Sequence, residues 1–328
     1  MAMVKVVVAC APFKGTWSAK AITAHVAQRL RDRGHDVDER PLPDGGEDTA
    51  AVLGDAWGLR RKAFIVPHVL GQPTDALTPV DAQVGDREGR PTAIIESAAC
   101  VGLTLVPPES RDPLHADTRA IGALIRAVVD DGAREVVLCL GGTGTVDGGR
   151  GLLDVMPSLP PGVALAGLVD VWAPLGGADG ARRFFAQKGL GAEHHDDVEA
   201  ALCALHPRFV DVPGTGAAGG LGAAVLHLGG VLRSGAEVVV NAARLDDALR
   251  DADVVIGGEG RVDETTTQGK SLWALRAAAR RHGVPLVVVC GENALGADVA
   301  DAVVELKGDP ALSSLDGAIA AVARRGTH

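Results

Sequence analysis

Carboxylates and glycines share the same short stretches of this 328-residue chain. Residues 141–149 (GGTGTVDGG) carry Asp147, and residues 257–263 (GGEGRVD) carry Glu259 and Asp263. Pro43-Asp44-Gly45-Gly46-Glu47 adds two more acids, Asp170 another, and residues 213–222 (PGTGAAGGLG) run into an Ala-rich segment. Glycines let a backbone approach an anion closely, and a following helix adds its N-terminal dipole. Carboxylates beside such loops suit Mg²⁺ held between protein and phosphate oxygens. Lys14, Lys188, Arg261 and Lys270 supply positive charge of the kind that phosphoryl transfer needs.

Two familiar nucleotide motifs are excluded. Gln268-Gly269-Lys270-Ser271 ends like a Walker A loop, but the position of its first glycine holds Glu264. Gly214, Gly216 and Gly219 have dinucleotide-fingerprint spacing, yet they follow Pro213 rather than a long apolar strand, with no acid about 20 residues on in a βαβ context. The ten histidines show no zinc spacing. A net charge of −10, 3% aromatic residues and no tyrosine argue against nucleic acid as a partner. No apolar run approaches a membrane span, and Lys5 interrupts the N-terminal apolar stretch, so neither a membrane nor a signal peptide is expected. Five widely spaced cysteines without C-x-x-C spacing read as reduced core thiols of a cytoplasmic protein.

The elements that must position these residues alternate. Short β-branched runs at 4–9, 92–96, 135–140, 253–257 and 285–290 are separated by amphipathic stretches such as 18–33, 118–130 and 271–281. Buried runs of this length between helices indicate parallel strands. The expected class is α/β, with two α/β domains: a doubly wound Rossmann-like domain and a second α/β domain inserted into it. The expected boundaries assign 1–60, 110–150 and 236–328 to the first domain and 61–109 with 151–235 to the second. Asp86 to Gly89 reads as a charged turn before a strand.

In order along the chain, Phe13-Lys14-Gly15-Thr16 with Ser18-Ala19, residues 43–49 (PDGGEDT), Ile95-Glu96-Ser97-Ala98-Ala99, Asp147-Gly148-Gly149, Gln187-Lys188-Gly189, residues 213–222 and Gly258-Glu259-Gly260-Arg261-Val262-Asp263 with Gln268-Gly269-Lys270 match one family's motifs. The chain resembles the type I glycerate kinases. That resemblance implies transfer of the ATP γ-phosphate to a hydroxyl of D-glycerate, with Mg²⁺. Departures fall in loops: Ala11-Pro12 where the family has Asp-Ser, Val146 where it has Asn, and Trp172-Ala173 where it has Thr-Asn.

The expected function is therefore an ATP-dependent kinase of glycerate or a related small hydroxy acid or polyol. The alternative is a catalytically impaired pseudokinase that keeps an anion pocket for binding or regulation. The residues expected to be catalytic are Lys14, Asp147, Asp170 and Asp263, with Asp147 and Asp170 also as metal ligands. Asp44, Glu47, Lys188, Arg261 and Lys270 are expected to bind substrate. Gly142, Thr143, Gly216, Gly219, Gly258 and Gly260 are expected to hold nucleotide phosphate. Cofactors are ATP and Mg²⁺, and a homodimer is left open. Ala11 and Val146 are the positions at which activity would be retuned or lost.

Overall fold

The computed structural model describes residues 3–13, 15–268, 270–296 and 299–306, with the backbone alone for Thr265 and Gln268. From the N-terminus run β1 (Lys5–Cys10), α1 (Ala19–Arg31), β2 (Asp36–Glu39), α2 (Thr49–Ala56), β3 (Arg60–Val66), β4 (Thr78–Arg87), β5 (Arg90–Glu96) and α3 (Ser97–Val101). Then come α4 (Arg119–Asp130), β6 (Glu135–Leu140), α5 (Arg150–Val155), β7 (Ala164–Val169), α6 (His195–Leu205), α7 (Ala217–His227) and β8 (Val231–Ser234). The chain continues through α8 (Gly235–Ala242), α9 (Leu245–Leu249), β9 (Val254–Val262), α10 (Ser271–His282), β10 (Leu286–Asn293) and β11 (Ala302–Glu305).

Two compact units result, one made of the residues up to Asp44 with those from Ala236 onward, the other of Gly45–Gly235. These limits differ from the expected ones at 45–60 and 110–150, which belong to the continuous unit. Strand pairing explains the difference: β6 hydrogen-bonds between β5 and β7, so its flanking helices cannot leave that sheet.

The split unit holds a five-stranded, wholly parallel sheet in the order β11-β10-β9-β1-β2. Val6–Val8, Val254–Ile256 and Val287–Val289 are almost fully buried at every position, as strands covered on both faces must be. Ile22, Val26 and Leu30, at helical spacing on α1, pack into that core. Ser18 caps α1, its hydroxyl accepting the Ala21 N–H at 3.1 Å.

The continuous unit holds six strands in the order β3-β4-β5-β6-β7-β8. Its first two pairings are antiparallel and the rest parallel. β4 and β5 meet at Glu88-Gly89, with φ of 55° and 81°, and Asp86 Oδ1 accepts the Gly89 N–H at 2.7 Å. Two successive positive φ values give the tight turn whose twist matches that of the strands. α4 presents Ile121, Leu124, Ile125 and Val128 to one core, while Val146, Leu175, Phe185, Leu190 and Leu202 form a second. No helix among the described residues is long and apolar enough to cross a membrane.

Candidate active site

Open parallel sheets bind ligands beyond the carboxyl ends of their strands. In the continuous unit those ends release Gly141 after β6 and Asp170 after β7. Lys188 is 3% exposed, and both hydrogen bonds of its ammonium go to Thr143, to the carbonyl at 2.5 Å and to the hydroxyl at 2.9 Å. Burial lowers its pKa to about 8, opposed by the charges of Asp170 and Asp147. A desolvated cation faced mainly by neutral oxygens is strongly placed to attract a second anion.

Asp147 is occupied otherwise. Its Oδ2 accepts the Thr118 N–H (2.9 Å), the Thr118 hydroxyl (2.8 Å) and the Gly151 N–H (3.1 Å), while Oδ1 accepts the Gly149 N–H (3.0 Å). Thr118 closes the arrangement, its hydroxyl accepting the Leu152 N–H at 2.9 Å. Asp147 thus ties the 141–149 loop to the starts of α4 and α5. His206 fixes the same loop from another side, Nε2 meeting the Gly148 carbonyl at 2.7 Å.

The glycines expected to hold phosphate have packing explanations. A Cβ on Gly219, whose φ is +69°, would lie 2.0 Å from the Thr145 carbonyl oxygen, and one on Gly216 would lie 2.2 Å from that of Pro174. Gly142, with φ +66°, turns beside Glu47, whose carboxylate would be 3.0 Å from an added Cβ.

In the split unit the expected loop after residue 256 is instead strand. β9 runs on to Val262, so Gly258 and Gly260 lie within it, where β1 and β10 pair on either side. A Cβ on Gly258 would meet Cys10 Sγ and Val289 Cγ2, both at 2.9 Å, so glycine is what lets the strands close. The strand delivers Glu259, whose carboxylate pairs with Lys270 at 2.9 Å and accepts the Thr266 hydroxyl at 2.9 Å. Burial raises the Glu259 pKa, Lys270 and Thr266 lower it, and Asp44 raises it further. Asp44 is itself buried, following Pro43, whose carbonyl accepts the Ser271 hydroxyl at the start of α10 (2.8 Å). Asp263 and Arg261 pair at 3.6 Å, and Arg261 also reaches Glu292 at 3.5 Å. Lys14 and Gly269 lie outside the described residues.

The structure therefore gathers Asp44, Lys270 and Glu259 in one unit and Thr143, Lys188 and Asp170 in the other. Glu259 was legible as an acid beside glycines; its buried ion pair, which makes it central, was not. Two of the departures from the family pattern are packing positions. Val146 lies in the second core of the continuous unit, and Ala11 is buried with its N–H bonded to the Gly258 carbonyl at 2.8 Å. Trp172, by contrast, is 43% exposed. Among the described residues no group of three or more His, Cys, Asp or Glu side chains could hold a metal by itself.

Residues 6–158 and 155–319 match the sequence pattern of the Glycerate kinase family. The Bacillus subtilis (strain 168) protein named glycerate kinase is 34% identical, over 88% of this chain and 85% of its own. The glycerate 2-kinase of Escherichia coli (strain K12) is 32% identical over the same shares. A crystal structure from Salmonella typhimurium LT2, assigned as glycerate kinase 2, aligns with a TM-score of 0.69 at 30% identity, covering 99% of this chain and 96% of that one. The chain belongs to the glycerate kinase family.

Proposed function

We propose that this protein phosphorylates a hydroxyl of glycerate, or of a closely related small hydroxy acid, at the expense of ATP. The observation that carries the reading is Lys188, a buried ammonium held mainly by neutral oxygens, in a chain whose relatives are named glycerate kinases. Such a cation would neutralise the substrate carboxylate or the transferring phosphoryl group, a role worth about 10²–10³-fold in rate. Lys14 and Lys270 are proposed to act on phosphate in the same sense, Lys270 with its charge balanced by Glu259.

Mg²⁺ takes one or two carboxylates together with phosphate oxygens and water. Asp170, which follows β7 at the carboxyl end of the sheet, is the proposed ligand. Asp147 does not fit that demand, because its two oxygens already accept four hydrogen bonds from its own chain. Bound there, Mg²⁺ would supply charge neutralisation at the phosphates. Asp147 is proposed instead as the residue that holds the 141–149 loop in shape. Asp44, Glu47, Arg261 and Asp263 remain candidates for orienting the acceptor and its hydroxyl proton.

ADP release from Mg-ATP, measured across glycerate, other hydroxy acids and polyols, tests the reading. Turnover with glycerate or a close analogue is expected, and loss of that turnover in K188M is expected with it. A protein that binds Mg-ATP yet releases no ADP with any acceptor would be the binding protein of the alternative reading.

A further inference from the structure

α2 begins without a cap of its own. The residue before it, Asp48, sits in the left-handed region at φ 70° and makes no side-chain capping bond. The missing acceptor comes from another element. Glu96, the last residue of β5, accepts the Ala50 N–H on its Oε1 at 2.9 Å, and the Asp48 backbone also bonds to its carboxyl. Glu96 therefore grips the turn that carries Glu47, a candidate substrate-binding residue, and its side chain lines a groove of about 400 Å³ with Ala50, Arg61, Asp81 and Gln83.

We infer that Glu96 is a positioning residue, whose ionised carboxylate locks the 45–50 turn in its working conformation and whose protonation loosens it. The inference rests on the kinase reading, since it concerns the turn assigned to substrate there. A carboxylate binds backbone N–H groups more strongly than a neutral carboxyl does. Burial, and to a lesser degree the charges of Asp48 and Glu47, push the Glu96 pKa up to about 7, so the lock titrates near neutrality. The charged and titratable groups around it are Glu47 and Asp48 from the turn, Arg61 on β3, Asp81 on β4, and Cys139 on the paired strand β6. Cys139 is not a competing titration here, because burial, with Glu96 adding to it, holds its thiol well above the usual range.

The two consequences of a raised acid pKa have opposite signs. The stability contributed by Glu96 is fully present below the ordinary carboxyl range and is lost as pH rises through about 7. The locked, active form increases as the carboxyl ionises, because the Ala50 and Asp48 N–H bonds lower the pKa of a group that stays buried whether the turn is locked or loose.

The test measures kcat/KM for phosphorylation of the best acceptor between pH 6 and 8, and the hydrogen-exchange protection of the Asp48 and Ala50 amides over that range. In the unmodified protein both should rise, kcat/KM by about fivefold, because the tenfold gain from a single group with a midpoint near 7 is halved by pH 8 as Lys188 loses its charge. E96Q, which keeps an acceptor but no charge, should hold both at the low-pH level and flatten the profile to less than about twofold. E96D, too short to reach Ala50, should behave likewise. If E96Q keeps the full pH dependence of activity and protection, Glu96 is not the lock. Should no acceptor be phosphorylated by the unmodified protein, the kinase reading fails. The amide protection then decides on Glu96 alone, a flat profile in the unmodified protein overturning it.

Discussion

Two lysines with little solvent access, one in each unit, are held in opposite ways. Lys270 forms an ion pair with Glu259, and their side chains are 14% and 11% exposed. Lys188 is more deeply buried, yet among the described residues its ammonium bonds to the carbonyl and hydroxyl of Thr143, and the carboxylates of Asp170 and Asp147 act on it through space. The first arrangement balances the Lys270 charge and ties β9 to the start of α10. The second leaves a buried ammonium hydrogen-bonded to neutral oxygens, with two carboxylates acting on it at longer range.

Five substitutions break or sharpen that contrast. E259Q should have the largest effect, because it leaves the Lys270 charge buried without its partner. A loss of about 3–5 kcal/mol is expected in chemical denaturation, and a loss under 1 kcal/mol would show that the pair is not structural. K188M should cost about 10²-fold or more in kcat/KM while changing stability by no more than about 2 kcal/mol. It should also abolish an alkaline fall in activity. With its pKa lowered to about 8, Lys188 carries charge below that pH and loses it above, so anion binding should weaken as pH rises through 8 in the unmodified protein only.

D147N and D170N separate two carboxylates that look alike in sequence. D147N should lower stability by about 2 kcal/mol, since it weakens four charge-assisted hydrogen bonds, and any loss of activity should follow the loss of fold. D170N should reduce turnover at saturating glycerate by more than any loss of stability accounts for. The reverse pattern would exchange the roles given to them here. R261A should have the smallest effect on stability, below about 1 kcal/mol, because Arg261 itself is exposed and its distances to Asp263 and Glu292 are long.

The buried strands were legible because Val6–Val8, Val254–Ile256 and Val287–Val289 are unbroken β-branched runs, and the hairpin because Asp86–Gly89 is turn chemistry. The limits of the units were not, since they depend on which strand pairs with which. Glycine was the most misleading residue. Beside a ligand and beside a neighbouring strand it satisfies the same need for space, so the sequence of Gly258 or Gly219 cannot say which one applies. The bonds of Asp147 were hidden for a related reason. Two of its donors come from Thr118, 29 residues away, and no local pattern announces them. Glu96 stood in a recognised motif, but the uncapped helix it serves lies 46 residues earlier.

The order of strands in the split unit also has a consequence for the nascent chain. β1 lies between β2 and β9, and β9 ends at Val262. At roughly 5–20 residues per second, β1 leaves the ribosome some ten seconds to a minute before its second neighbour exists. Gly45–Gly235, contiguous in sequence, can fold during that wait. Val6-Val7-Val8 meanwhile has only β2 beside it, an apolar edge open to the wrong partner, and it is at this strand that chaperone protection during synthesis would matter most.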